Sequence, residues 1–178
     1  MRIRIKDLAV GIHRQNLQEP AGSLGLDEEK LHFAAPIKVR VTLQKVADQI
    51  VCGLHVVASL HLECSRCLEP TKATISEDMT LLVEFSATPA QVSADPDVKV
   101  VPYGAEEVDV SEEVRQTILL AIPGKPLCMD DCLGLCPHCG QNLNLGRCRC
   151  QVKVEDPRWS GLRNLLSNKT KGEASGRS

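Results

Sequence analysis

The chain has 178 residues, 43% apolar and 25% charged, the composition of a globular protein with one ordinary core and room for a small appendix. Aromatics make up only 2%, so the core must be built from Val, Ile, Leu and Ala, and nucleic-acid binding by aromatic stacking is disfavoured. The net charge of −2 is split: residues 1–122 hold 12 Lys+Arg against 18 Asp+Glu, and residues 123–178 hold 9 against 5.

The opening residues, MRIRIKDLAVG, contain no apolar run of signal-peptide length. No stretch approaches the ~18–20 apolar residues of a membrane span. The expected location is the cytoplasm, where thiols stay reduced. Nine cysteines there point to metal or redox chemistry rather than disulfides.

Residues 2–6 alternate strictly, Ile3 and Ile5 against Arg2, Arg4 and Lys6, and predict a half-buried strand. Residues 14–28 mix Gly, Pro and charge and read as a loop. Alternation returns at 37–43, with Ile37, Val39, Val41 and Leu43 on one face. The run 50–62 puts Cys52, Leu54, Val56, Ala58, Leu60 and Leu62 on one parity and His55, Ser59 and His61 on the other. It delivers the chain to Cys64-Ser65-Arg66-Cys67 at a strand end, before the turn signal Glu69-Pro70. Residues 71–77 and 79–85 read as two further strands of an antiparallel meander.

Residues 86–108, with Pro89, Pro96 and Pro102, read as a long surface loop. Asp109 with Glu112 makes a capping box. Val110, Val114, Ile118 and Ile122 follow at helical spacing until Pro123. From 123 to 150 Cys, Gly and Asn dominate, and so few apolar side chains need a staple to fold. A short last helix is predicted from Asp156 and Pro157, with Trp159, Leu162 and Leu166 on one side. Residues 168–178 read as a disordered tail.

The fold class expected is α+β. An antiparallel meander or partly open barrel is covered by one helix, followed by a cysteine-rich, zinc-stapled segment and a short helix. The domains follow as 1–122 (with the capped helix 109–122), 123–167 and the tail 168–178.

Eight cysteines fall into four pairs: Cys64/Cys67, Cys128/Cys132, Cys136/Cys139 and Cys148/Cys150. Two pairs of thiolates closing on one ion suit tetrahedral Zn²⁺ at Zn–S distances of about 2.3 Å. Cys136-Pro137-His138-Cys139-Gly140 is the strongest signal, because the glycine relieves the backbone that wraps the ion. Two groupings are open. In one, Cys136, Cys139, Cys148 and Cys150 close a purely local site, which costs little loop-closure entropy, and Cys64, Cys67, Cys128 and Cys132 form the other. The rival unites Cys128, Cys132, Cys136 and Cys139 and leaves Cys148/Cys150 to the strand-end pair. The first is preferred, with two zinc ions per chain.

A thioredoxin-like role for Cys64/Cys67 is disfavoured, because strand is followed by turn and more strand. Cys52 reads as a buried small hydrophobe. His138 reads as a solvated turn residue, and His55 and His61 as ordinary surface residues. No phosphate loop, nucleophile elbow or His-Glu-x-x-His is present, so no enzyme activity is expected.

The strings CSRCLEP (64–70), ILLAIPGKPLC (118–128), CLGLCPHCGQNLN (132–144), CRC (148–150) and DPRWSGLRNLL (156–166) together resemble the YceD family. These are bacterial proteins, with plastid relatives, linked to accumulation of large-subunit ribosomal RNA. The resemblance implies a role in synthesis, processing or stability of the 23S RNA. Family members that lack the 136–150 cluster imply that Cys64, Cys67, Cys128 and Cys132 form one set. Expected partners are ribosomal RNA or a basic large-subunit ribosomal protein, with no membrane and no small-molecule substrate. The alternative is a zinc-stapled adaptor that regulates an RNA-processing enzyme without touching RNA.

Overall fold

The computed structural model describes residues 1–26, 31–87 and 95–150. The chain divides into two compact units, one from Met1 to Cys132 and one from Leu133 onward. The division falls beyond the helix because residues 123–132 carry Cys128 and Cys132 back to the strand-end pair.

Among the described residues the first unit holds eight strands, one α-helix and a short 3-10 helix (Ala21–Leu24): β1 (Arg2–Arg4), β2 (Gly11–Glu19), β3 (His32–Phe33), β4 (Ile37–Val46), β5 (Gln49–Glu63), β6 (Pro70–Ser86), β7 (Val98–Pro102), β8 (Glu107–Asp109) and α1 (Ser111–Ala121). The larger sheet runs β2-β4-β5-β6-β7, with β3 beside β5, and β1 pairs β8 separately. All pairings are antiparallel except β6–β7. The meander is as expected, but neither sheet closes into a barrel: β2 and β7 end the larger sheet on opposite sides.

One face of that sheet is the core. Ile37, Val39, Val41 and Leu43 of β4, Ile50 to Leu60 of β5 at alternate positions, and Ile75, Leu81 and Val83 of β6 are buried there. Val114 and Ile118 of α1 join the same cluster, as do Ile3, Ile5, Leu24, Leu26 and Val108. Burying each large aliphatic side chain contributes roughly 1.5–3 kcal/mol. The opposite face is left uncovered by the described residues: Asn16, Gln18, Lys38, Arg40, Ser76 and Asp78 are all exposed.

Several elements differ from expectation. Residues 11–19 are a strand, not a loop. Their alternation is hidden because the inward positions His13, Gln15 and Glu19 are polar and only half-buried at the sheet edge. Residues 70–86 form one strand rather than two, because Glu77 occupies an inward position opposite Val56 and interrupts the apolar pattern. The stretch 86–108 contains β7 and β8, with β7 an edge strand that ends at Pro102, where a missing N–H is tolerated. The helix starts at Ser111 with Val110 in the cap position. Asp109 nonetheless serves the helix start, since its carboxylate accepts from the Ser111 N–H (2.9 Å) and hydroxyl (2.6 Å). The predicted helix from Asp156 and the tail 168–178 lie outside the described residues.

Candidate metal centres

Strand β5 ends at Glu63, and the chain turns through Cys64-Ser65-Arg66-Cys67 before β6 starts at Pro70. Two backbone bonds lock the turn: Leu68 N–H to the Cys64 carbonyl (2.9 Å) and Cys64 N–H to the Glu69 carbonyl (2.9 Å). The segment after α1 is tied to it. The Ser65 N–H donates to the Pro126 carbonyl (2.8 Å). The Arg66 guanidinium donates to the Cys132 carbonyl (2.8 Å) and the Asp130 carbonyl (3.4 Å). Cys64, Cys67, Cys128 and Cys132 thereby place their sulfurs within 4.8 Å of one another.

The second unit repeats the device. Gly140 N–H donates to the Cys136 carbonyl (2.9 Å) and Cys136 N–H to the Gln141 carbonyl (2.8 Å). An Asn scaffold stands behind the turn. Asn144 Oδ1 accepts from Leu133 N–H (2.8 Å), and Asn142 Oδ1 accepts from Asn144 N–H (3.0 Å). The sulfurs of Cys136, Cys139, Cys148 and Cys150 also lie within 4.8 Å of one another. Of the two groupings that the sequence leaves open, the sulfurs are gathered in the first.

The donor sets fit a tetrahedral ion. Four sulfurs at about 2.3 Å from a zinc ion stand about 3.8 Å apart along the tetrahedron's edges. The Cys64–Cys132, Cys67–Cys128 and Cys136–Cys148 sulfurs are 3.8, 3.6 and 3.4 Å apart. Disulfide sulfurs would sit near 2.05 Å, and all nine cysteines are free.

The electrostatics are alike in both sets. The first cysteine of each loop is an acceptor for backbone N–H groups. Those of Cys67 and Arg66 pull Cys64 down to about 6, and those of Cys139 and His138 pull Cys136 down to about 6. Burial, then the neighbouring thiols, pushes Cys128 up to about 12. The thiol of Cys139, then burial, does the same to Cys150. Thiols that disfavour one another's ionisation this strongly suit a divalent cation, which would reverse the penalty.

The remaining candidates stand elsewhere. Cys52 is fully buried in β5, its thiol pushed up to about 11 by burial, and lies in neither set. His138 is exposed on its turn. His55 is on the uncovered sheet face, its Nδ1 2.7 Å from Asp78 Oδ1. The sequence reading missed Arg66 and Leu68. Leu68 holds φ +61°, the conformation Gly140 holds at +71°. Aligning CSRCLE with CPHCGQ would have shown leucine in a glycine's place.

The sequence profile of the family described as "Large ribosomal RNA subunit accumulation protein YceD" matches residues 52–166, well over half the chain. An uncharacterised protein of Mycobacterium tuberculosis is 29% identical over 145 residues, which cover 80% of this chain and 68% of that one. A maize protein named "Large ribosomal RNA subunit accumulation protein YCED homolog 1, chloroplastic" is 25% identical over 159 residues, 72% of this chain and 53% of its own. The Arabidopsis protein of the same name is 34% identical over 64 residues, 36% of this chain and 20% of its own. No solved structure matches the chain.

Proposed function

The chain belongs to the YceD family, and from that premise we propose that it is a non-catalytic factor supporting synthesis, processing or stability of large-subunit (23S) ribosomal RNA. The observation that carries this reading is the extent of the family match, 52–166, which runs through both cysteine sets. Each set offers four thiolates and so leaves a tetrahedral ion no open position for water, the pattern of a structural site rather than a catalytic one. Zinc is the ion proposed, because tetrahedral all-sulfur donors select it. Bound there, it would supply folding energy to loops that bury little apolar surface.

A second reading is the adaptor, a zinc-stapled module that binds a protein without touching RNA. It is favoured by the acidic balance of residues 1–122, 12 Lys+Arg against 18 Asp+Glu, which suits a basic protein partner. The cytoplasm is the proposed location, in keeping with reduced thiols.

Deleting the gene in its source organism tests the reading. The ratio of large- to small-subunit RNA should fall, and Cys136→Ser should reproduce part of the fall. A normal ratio and a normal subunit profile, also in the cold, would rule it out. A pull-down with and without RNase then separates RNA from protein partners.

A further inference from the structure

The face of the large sheet opposite the core is polarised, and the strand register shows how. Asn16, Arg40, His55 and Asp78 stand side by side across β2, β4, β5 and β6. The adjacent row holds Gln18, Lys38, Val57 and Ser76. Arg14 sits one row the other way, beside Thr42. A depression of about 300 Å³ opens between these rows, with Asn16, Gln18, Lys38, Arg40 and His55 among its walls. Its polar side chains are two amides, an ammonium, a guanidinium and an imidazole, with no carboxylate.

The nearest acid across the row, Asp78, is held by His55 Nδ1 at 2.7 Å, which leaves Nε2 for a ligand. Among the described residues Arg14, Lys38 and Arg40 make no ion pair. The other charged groups of this face are Lys72 with the neighbouring His61, Glu63 at the far end of β5, and Glu84, which is bonded to Gln49 at 3.0 Å. Cations therefore collect over β2 and β4, while β6 carries two acids, Asp78 and Glu84, and one cation, Lys72.

We propose that this depression and the cations around it bind the phosphodiester backbone of RNA. The inference rests on the ribosomal-RNA reading above and adds the surface that meets the RNA. Lys38 and Arg40 are next-but-one residues on one strand, about 6.6–6.8 Å apart at the backbone, and Arg14 lies diagonally at about 7–8 Å. Repeated cations at that spacing suit a chain of phosphates better than one small anion, and among the described residues nothing encloses the shallow face. No Phe, Tyr or Trp stands on this face among the described residues: Phe85 follows Val83 on the other side and stacks on Tyr103 at 6.2 Å. Recognition is therefore of backbone, not of stacked bases. Asp78 and Glu84 on β6 disfavour RNA on that half and so bias it toward β2 and β4.

The test uses the full zinc-loaded chain and a labelled RNA duplex of about 16 base pairs, with affinity read by fluorescence anisotropy between about 50 and 200 mM salt. Lys38→Gln with Arg40→Gln should weaken binding at least about tenfold and lower the salt slope by about two, one for each lost phosphate contact. Lys6→Gln, an exposed cation paired with Glu106, should change neither. Both altered side chains are exposed, and an unchanged thermal transition confirms that the variant folds. Wild-type affinity and slope in the double variant would overturn the proposal, as would no RNA binding by the wild type at about 50 mM salt. In the second case a fall of large-subunit RNA in the deletion strain would leave the functional reading standing with a protein partner. A normal RNA ratio beside RNA binding lost in the double variant would do the reverse.

Discussion

Leu68 stands in the first cysteine loop where Gly140 stands in the second. Each N–H reaches the carbonyl of its loop's first cysteine at 2.9 Å, and each residue holds a left-handed φ, +61° and +71°. A side chain in that region costs roughly 1–2 kcal/mol, while glycine costs roughly 0.5–1 kcal/mol through the unfolded chain. Leu68→Gly should therefore raise the stability of the zinc-loaded protein by about 0.5 kcal/mol. Gly140→Leu should lower that of the second unit by a similar amount, since a Cβ at Gly140 meets nothing within 4 Å and strain is the only penalty. Thermal unfolding followed by circular dichroism reads both, and an opposite sign at Leu68 would refute the assignment of strain.

Arg66 secures the first site from outside it, through the Cys132 and Asp130 carbonyls. Arg66→Ala should weaken metal retention at that site about 10–100-fold, the usual cost of losing a supporting partner. The second site should keep its affinity. Titration with a competing chromogenic chelator resolves the two sites.

Cys136→Ser removes one ligand of a set contained in the second unit. That unit should lose its fold, and the core from Ile3 to Ile118 should keep its own. Limited proteolysis is expected to cut after Leu133 while leaving residues 1–132 intact. Cleavage throughout the chain would show that the two units do not fold separately.

The Asp109 carboxyl is held down at about 2 by the Ser111 hydroxyl, with the Ser111 backbone N–H as a second donor. A folded pKa below the unfolded one contributes stability above the unfolded value, and that stability is lost as pH falls through the folded one. The difference in stability between wild type and Asp109→Ala should thus be full above about pH 4 and vanish toward about pH 2. Comparing the two at equal pH cancels the acid release of metal common to both. The carboxylate is 57% exposed, so the plateau should stay below about 1 kcal/mol.

The strands with one polar and one apolar face, 37–43 and 50–62, were legible because burial imposes a period of two. Strand β2 was not, since an edge strand buries little and His13, Gln15 and Glu19 face inward without needing to be apolar. Strand β7 is short and bracketed by prolines, so it read as loop. The eight cysteines were legible from spacing alone. Their grouping was left between two alternatives, because spacing cannot tell that Ser65 and Arg66 bind the segment 126–132. The cationic depression was invisible for a similar reason: Asn16, Lys38, Arg40 and His55 meet only through strand register, which no single segment encodes.

Metal content of the natively purified chain tests the account most directly. Elemental analysis should give two zinc ions per chain, with the eight clustered thiols unreactive until a chelator and denaturant are added, and Cys52 silent in the native state because it is buried. A chain carrying no metal, with those eight thiols freely titratable while the fold stays intact, would contradict the account.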